Sequence, residues 1–268
     1  PSPPPAALMG WGVRIAMITA ILSIRITMCT GIIATIIMSM SMSMSMSMSM
    51  SMSMSTNKTF LTALQWLSPA FPIGGFAYSH GLEWAIEKRH VTDQTSLQNW
   101  LQDLLGFGSA RSDAILLALA FKSESKTKLI YLNQLALALS ASAERRSETL
   151  LQGQAFGKTI RDVWGQDCTD LCYPVALGAA ARRENLIKED IIAAYLHAFS
   201  ANLISAAIRL VPLGQTQGQH ILLALTPEIN ACAAEASGAD EDDLSSTTFL
   251  SDVASMRHET LHTRIFRT

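Results

Sequence analysis

The sequence predicts an all-α protein: a single-domain bundle of about ten helices over residues 56–236, followed by a flexible C-terminal arm. Two observations carry this. Apolar residues recur at spacings of three and four through the body, the signature of helices with one buried face. No run of alternating β-branched residues offers a strand.

The elements follow in order from caps and breakers. Thr56–Leu67 is predicted as a first short helix capped by Thr56 or Asn57, and Tyr78–Lys88 as a second. Thr95 or Ser96 caps a third, whose stripe of Leu97, Trp100, Leu101, Leu104 and Leu105 runs until Gly106 and Gly108 interrupt it. Ser112–Phe121 and Lys128–Ala141 are apolar on most faces and read as central helices. Glu144–Trp164 is longer, more amphipathic and stopped by Gly165. Pro174–Arg183, Glu189–Leu210 and Gly218–Leu225 come next, and Pro227 opens a further helix to about Ala236. Residues 237–268 form an acidic linker, Ser237–Thr248, and an arm that resumes helical periodicity at Phe249.

The front end reads differently. Residues 1–55 hold a proline-rich start, an apolar run over Ile15–Met38 and nine consecutive Met-Ser pairs. A repetitive coding tract that obscures the true start is the preferred account. A membrane anchor is one alternative, although Arg25 near the middle of the run would cost several kcal/mol in a bilayer, and a Met-rich tract for soft metal ions is another.

The chain is 49% hydrophobic and only 16% charged, with a net charge of −2. Of its 20 basic side chains two, Arg14 and Arg25, lie in residues 1–55, so the body carries 18 basic against 22 acidic groups. A mildly acidic body without Lys/Arg runs lacks the electrostatic footprint of a nucleic-acid binder.

One segment stands out. Ser68–Glu83 packs Pro69, Pro72, Gly74, Gly75 and the aromatics Phe71, Phe76 and Tyr78 between two helices. Prolines fix φ and glycines permit conformations that a Cβ blocks, so a stiff elbow is expected, with its aromatics favoured for docking over packing.

Three motifs resemble chemistry. His258-Glu259-Thr260-Leu261-His262 has H-E-x-x-H spacing, but none of the six residues after it is His, Asp or Glu, so a zinc peptidase lacks a downstream third ligand. Gly153-Gln-Ala-Phe-Gly157-Lys158-Thr159 is one residue short of a phosphate-binding loop and sits inside helical periodicity, so close helix packing at the two glycines is preferred. Cys168 and Cys172 have no second ligand pair nearby and, with Cys232, read as free thiols. No nucleophile, base and oxyanion arrangement emerges, which favours binding or assembly over catalysis.

Pro72-Ile-Gly-Gly-Phe-Ala-Tyr-Ser-His-Gly-Leu-Glu83, an all-helical middle, and Asp252-Val-Ala-Ser-Met-Arg-His-Glu-Thr-Leu-His-Thr-Arg-Ile-Phe-Arg267 together resemble the urease accessory protein F (UreF) family over about residues 58–268. The resemblance implies a non-catalytic, cytoplasmic, dimeric chaperone of urease maturation. It would bridge accessory protein UreD (UreH in some organisms) and the GTPase UreG for GTP-dependent nickel insertion into apo-urease. It places partner contacts on Arg257, His258, Glu259, Arg264, Phe266 and Arg267 of the arm. A second contact surface falls on Pro72, Gly74, Gly75, Phe76, Tyr78, Ser79, His80 and Glu83. No stably bound cofactor is implied; His80, Glu83, His258 and Glu259 are candidates for transient nickel contact. Zinc peptidase and membrane-anchored adaptor stand as alternatives.

Overall fold

A computed structural model describes residues 58–268, and among these every regular element is helical. The readings placed on residues 1–55 lie outside the described residues. Residues 58–66 form α1. A 3-10 turn at Gly75–Ala77 leads into α2 (Leu82–Glu87), α3 (Gln94–Phe107), α4 (Ser109–Lys122), α5 (Lys126–Ala138) and α6 (Ala143–Trp164). Then come α7 (Tyr173–Arg183), α8 (Lys188–Ile208), α9 (Gln215–Ala224), α10 (Thr226–Gly238) and α11 (Phe249–His258).

Local chemistry explains the boundaries. The α3 cap, Asp93, lies two or three residues earlier than the sequence reading placed it, at Thr95 or Ser96. Asp93 accepts the Ser96 N–H at 2.8 Å while Ser96 Oγ accepts the Asp93 N–H at 3.0 Å, so Ser96 completes a reciprocal box inside the first turn.

Helix α4 is the centre of the bundle and lies against α3, α5, α7, α8 and α10. Its alanines, Ala110, Ala114, Ala118 and Ala120, are fully buried, and α7 meets it at Gly178, where an added Cβ would lie 2.3 Å from the Leu117 carbonyl oxygen. Small side chains let the two axes approach closely while Ile115 and Leu117 fill the space between neighbours. By contrast α5, expected to be central, is peripheral. It buries Leu129, Leu132 and Ala136 but leaves Ile130 and Tyr131 outside. Single apolar residues at a surface cost little, so apolar content alone does not place a helix inside. Gln94–Lys122 and Lys188–Ile208 are long and apolar enough to cross a bilayer, and most of each is buried within this bundle.

Residues 239–248 differ from the mobile linker expected of them. Lys122 Nζ donates to the Ala239 carbonyl at 3.0 Å, Arg111 to the Asp243 carbonyl at 2.8 Å, and Ser112 Oγ to the Ser245 carbonyl at 3.1 Å. The Thr247 N–H reaches the Phe107 carbonyl at 3.0 Å, and Lys128 pairs with Glu241. Composition marked the segment as polar and acidic; basic side chains of α4 and α5 attach it, Lys122 and Arg111 through its main-chain carbonyls and Lys128 through the Glu241 carboxylate. The arm beyond it is folded back, with α11 lying against α2 and α6.

Candidate functional site

The elbow, the first turns of α6 and the folded-back tail converge on one locus. Two consecutive left-handed residues, His80 (φ 54°) and Gly81 (φ 78°), swing the chain out of the elbow into α2. Gly81 is required twice over. Its φ is strained for any side chain, and an added Cβ would lie 2.5 Å from the Ser255 nitrogen, because the α11 backbone crosses directly above it.

This turn aims Glu83, buried at the start of α2, into the tail. Glu83 Oε1 accepts the Ile265 N–H at 2.7 Å and Oε2 accepts the Phe266 N–H at 2.9 Å, with His258 Nε2 3.2 Å from the same Oε2. The other ring nitrogen of His258, fully buried, lies 2.7 Å from Glu144 Oε2 on α6, and Arg264 pairs with the second oxygen of that carboxylate. Further along, the Arg267 N–H bonds the Ala77 carbonyl at 2.8 Å, and the Thr268 carbonyl accepts both the Ser79 N–H at 2.7 Å and its hydroxyl. Glu259 Oε1 accepts the Ala143 N–H at the start of α6 at 2.7 Å.

Beneath the tail lies a buried ionic knot. Arg145 on α6 pairs with Asp113 on α4 and reaches Glu148 at 3.6 Å. Tyr195 donates to Asp113 at 2.7 Å, and His80 Nε2 sits 2.9 Å from Glu148. Burial opposes the charge of Arg145, but Asp113 and Glu148 outweigh it and raise its pKa. Burial alone would raise the Glu148 carboxyl; His80 and Arg145 overcome that and hold it below the usual carboxylate range. The Tyr195 phenol is driven up by burial, with the Asp113 charge adding to it. A cleft of about 50 Å³ follows the seam under α11, lined by His80, Asp113, Arg145, Thr149, Ser251 and Ser255.

Helix α11 is amphipathic in the inverted sense. It turns Ser251, Ala254, Ser255 and His258 inward and leaves Phe249, Leu250, Val253 and Met256 outside, Phe249 at 78% exposure. A surface helix ordinarily buries its apolar stripe. This one buries small and polar residues, so its attachment is chiefly hydrogen-bonded and its hydrophobic area stays free for something else.

The sequence-predicted residues therefore separate into two groups. Pro72, Phe76, Arg257, Glu259, Arg264 and Arg267 are exposed, and Gly74 and Gly75 are half-buried. Tyr78, Ser79, His80, Glu83, His258 and Phe266 are buried and spend their polar groups or rings on this chain. Of the elbow aromatics expected to favour docking, Phe71 packs against Phe156 at 5.6 Å and Tyr78 is buried, which corrects that expectation; Phe76 alone stays outside. Arg145, Asp113, Glu144 and Glu148 were missed. Buried charges inside helices look like ordinary surface charges until their partners, 32 or more residues away for Arg145 with Asp113 and for His258 with Glu144, are known.

The three chemical motifs resolve on geometry. His258 ends α11 and is enclosed, while His262 lies beyond the helix and is exposed, so the two imidazoles do not share a helical face. Among the described residues, no group of three or more His, Cys, Asp or Glu is arranged to hold a metal. Gly153 and Gly157 lie inside α6, where added Cβ atoms would strike the Leu171 carbonyl at 2.1 Å and the Cys168 carbonyl at 2.5 Å. They admit the 168–173 backbone; they do not form a phosphate loop. Cys168, Cys172 and Cys232 are buried free thiols, and burial pushes Cys172 up to about 12.

A family model, UreF, matches residues 91–226. The urease accessory protein UreF of Ruegeria pomeroyi is 49% identical over 213 residues, covering 80% of this chain and 98% of that protein. Its namesake in Roseobacter denitrificans is 47% identical over 209 residues, 78% of this chain and 94% of that one. One from Cereibacter sphaeroides is 50% identical over 208 residues, 78% of this chain and 98% of that one. At this identity and coverage, the chain belongs to the UreF family.

Proposed function

We propose that this protein is a non-catalytic accessory chaperone of urease maturation, acting in the cytoplasm as a homodimer. It bridges UreD (UreH) and the GTPase UreG so that nickel, the cargo, is inserted into apo-urease in a GTP-dependent step. Relatives near 50% identity bear the name urease accessory protein, which supports the biological setting. The observation that supports an assembly role within that setting is the tail: a well-anchored helix with its hydrophobic stripe turned away from its own body. Beside it, exposed Arg257 offers a directed, charge-assisted donor at the edge of an apolar centre, the usual anatomy of a protein-docking patch.

Co-purification of the chain with UreD, UreG and apo-urease, followed by nickel-dependent activation, tests the proposal. The full chain should capture its partners and yield active urease. Removal of residues 249–268 should leave the body helical by circular dichroism and abolish capture of UreD. Undiminished capture by the truncated chain would refute the role given to the tail.

A further inference from the structure

We propose that Glu83 is the latch that decides whether the tail is docked, and that it does so by reading main chain. The outer surface of α11 has a defined position only while the tail is seated, so this inference refines the docking role given above. Seating draws little on hydrophobic burial. Of the α11 residues that face inward, Ala254 alone is apolar, and in the segment after α11 Phe266 is the one buried ring. What remains is polar and is focused on few groups. Both oxygens of Glu83 are committed, one to the Ile265 N–H and one to the Phe266 N–H, and His258 joins the second.

These bonds are charge-assisted and shielded from water, since Glu83 is 5% exposed. Glu144 also grips the tail, but through the side chains of His258 and Arg264, the latter exposed. Among the described residues only Glu83 accepts two successive tail amides, which requires the tail backbone in one register and one conformation. Gly81 completes the device by letting α11 cross at contact distance two residues before the carboxylate. The latch therefore selects a backbone path, and the path sets where the apolar face of α11 points.

Hydrogen exchange on the full chain tests this. Glu83→Gln should accelerate exchange of the amides of residues 265 and 266 and of α11 by about tenfold or more, the loss expected when a charge-assisted acceptor becomes a neutral amide. The amides of α4 and α7 should stay at wild-type rates, as should the tail of Glu87→Gln, a change at an exposed carboxylate on the same helix. Because Glu83 is buried, a second variant guards against general misfolding. Ile265→Pro removes one N–H donor at an exposed side chain without touching the body, and should loosen the same segment. Wild-type tail exchange in either variant overturns the latch, as does equal acceleration in α4 and α7 of both. Partner capture by the same variants reports separately: a loosened tail with undiminished UreD capture upholds the latch and refutes the docking role.

Discussion

Replacing Arg145 with Met retains most of the side chain's volume and removes its charge and every donor. Asp113 then keeps only the Tyr195 hydroxyl, while Glu148 keeps His80, Gln152 and Thr268. Both carboxylates are buried, Asp113 at 7% exposure and Glu148 at 1%, so the loss leaves uncompensated charge in a low-dielectric interior. Breaking a buried pair from one side costs about 3–5 kcal/mol, a large part of a typical domain's stability. Urea unfolding should show a lower midpoint at unchanged slope. Adding Asp113→Asn to Arg145→Met should recover part of the loss, because one stranded charge is gone. The pH dependence has a definite sign. Glu148 is held below its unfolded value, so its contribution is present above about pH 4.3 and is lost as pH falls through the depressed folded pKa. In the variant, burial acts on Glu148 with less opposition, its pKa moves up, and proton uptake on mild acidification relieves the stranded charge. The stability gap between wild type and variant should therefore narrow from pH 7 toward pH 5. A gap below about 1 kcal/mol at pH 7, or one that widens on acidification, would refute the knot as described.

Gly153→Ala should destabilise the chain by about 1–3 kcal/mol, since its Cβ meets backbone atoms of residues 171–173 that cannot simply rotate away. Lys158→Ala, on the exposed side of the same helix, should shift stability by no more than about 0.5 kcal/mol; the opposite ranking in urea midpoints would contradict packing as the purpose of the glycine pair. Cys168, Cys172 and Cys232 should resist alkylation at pH 8 in the native chain and react once urea is added, as burial raises all three. Rapid native labelling of Cys172, read by mass spectrometry, would show that its surroundings open far more than the fold implies.

The helices were largely legible because their signals are local. Gly108, Gly165 and Pro227 each act within a turn of their own position, and a cap or breaker works whatever lies across the bundle. Depth was less legible: α4 and α5 are both rich in Leu and Ala, and only tertiary placement separates the hub from the rim. The elbow was recognised as special from its Pro and Gly content, yet the use of Ser79 and Glu83 was not, because their partners lie some 180 residues away at the other end of the chain. Sequence displays what a residue can bond to; it does not display what arrives.

Inverted amphipathicity in α11 links these points. Had the helix turned Phe249, Val253 and Met256 inward, hydrophobic burial would have seated it firmly, at about 1.5–3 kcal/mol per large side chain, and left no apolar surface to offer. Small residues over Gly81 instead permit close backbone contact, and Glu83, Glu144 and Ser79 supply directional bonds that fix position without consuming hydrophobic area. Position and exposure are thus assigned to different interactions. A fixed patch of apolar surface can be presented to a partner only if something other than that surface holds the helix, and the carboxylates of Glu83 on α2 and Glu144 on α6 do so in this fold.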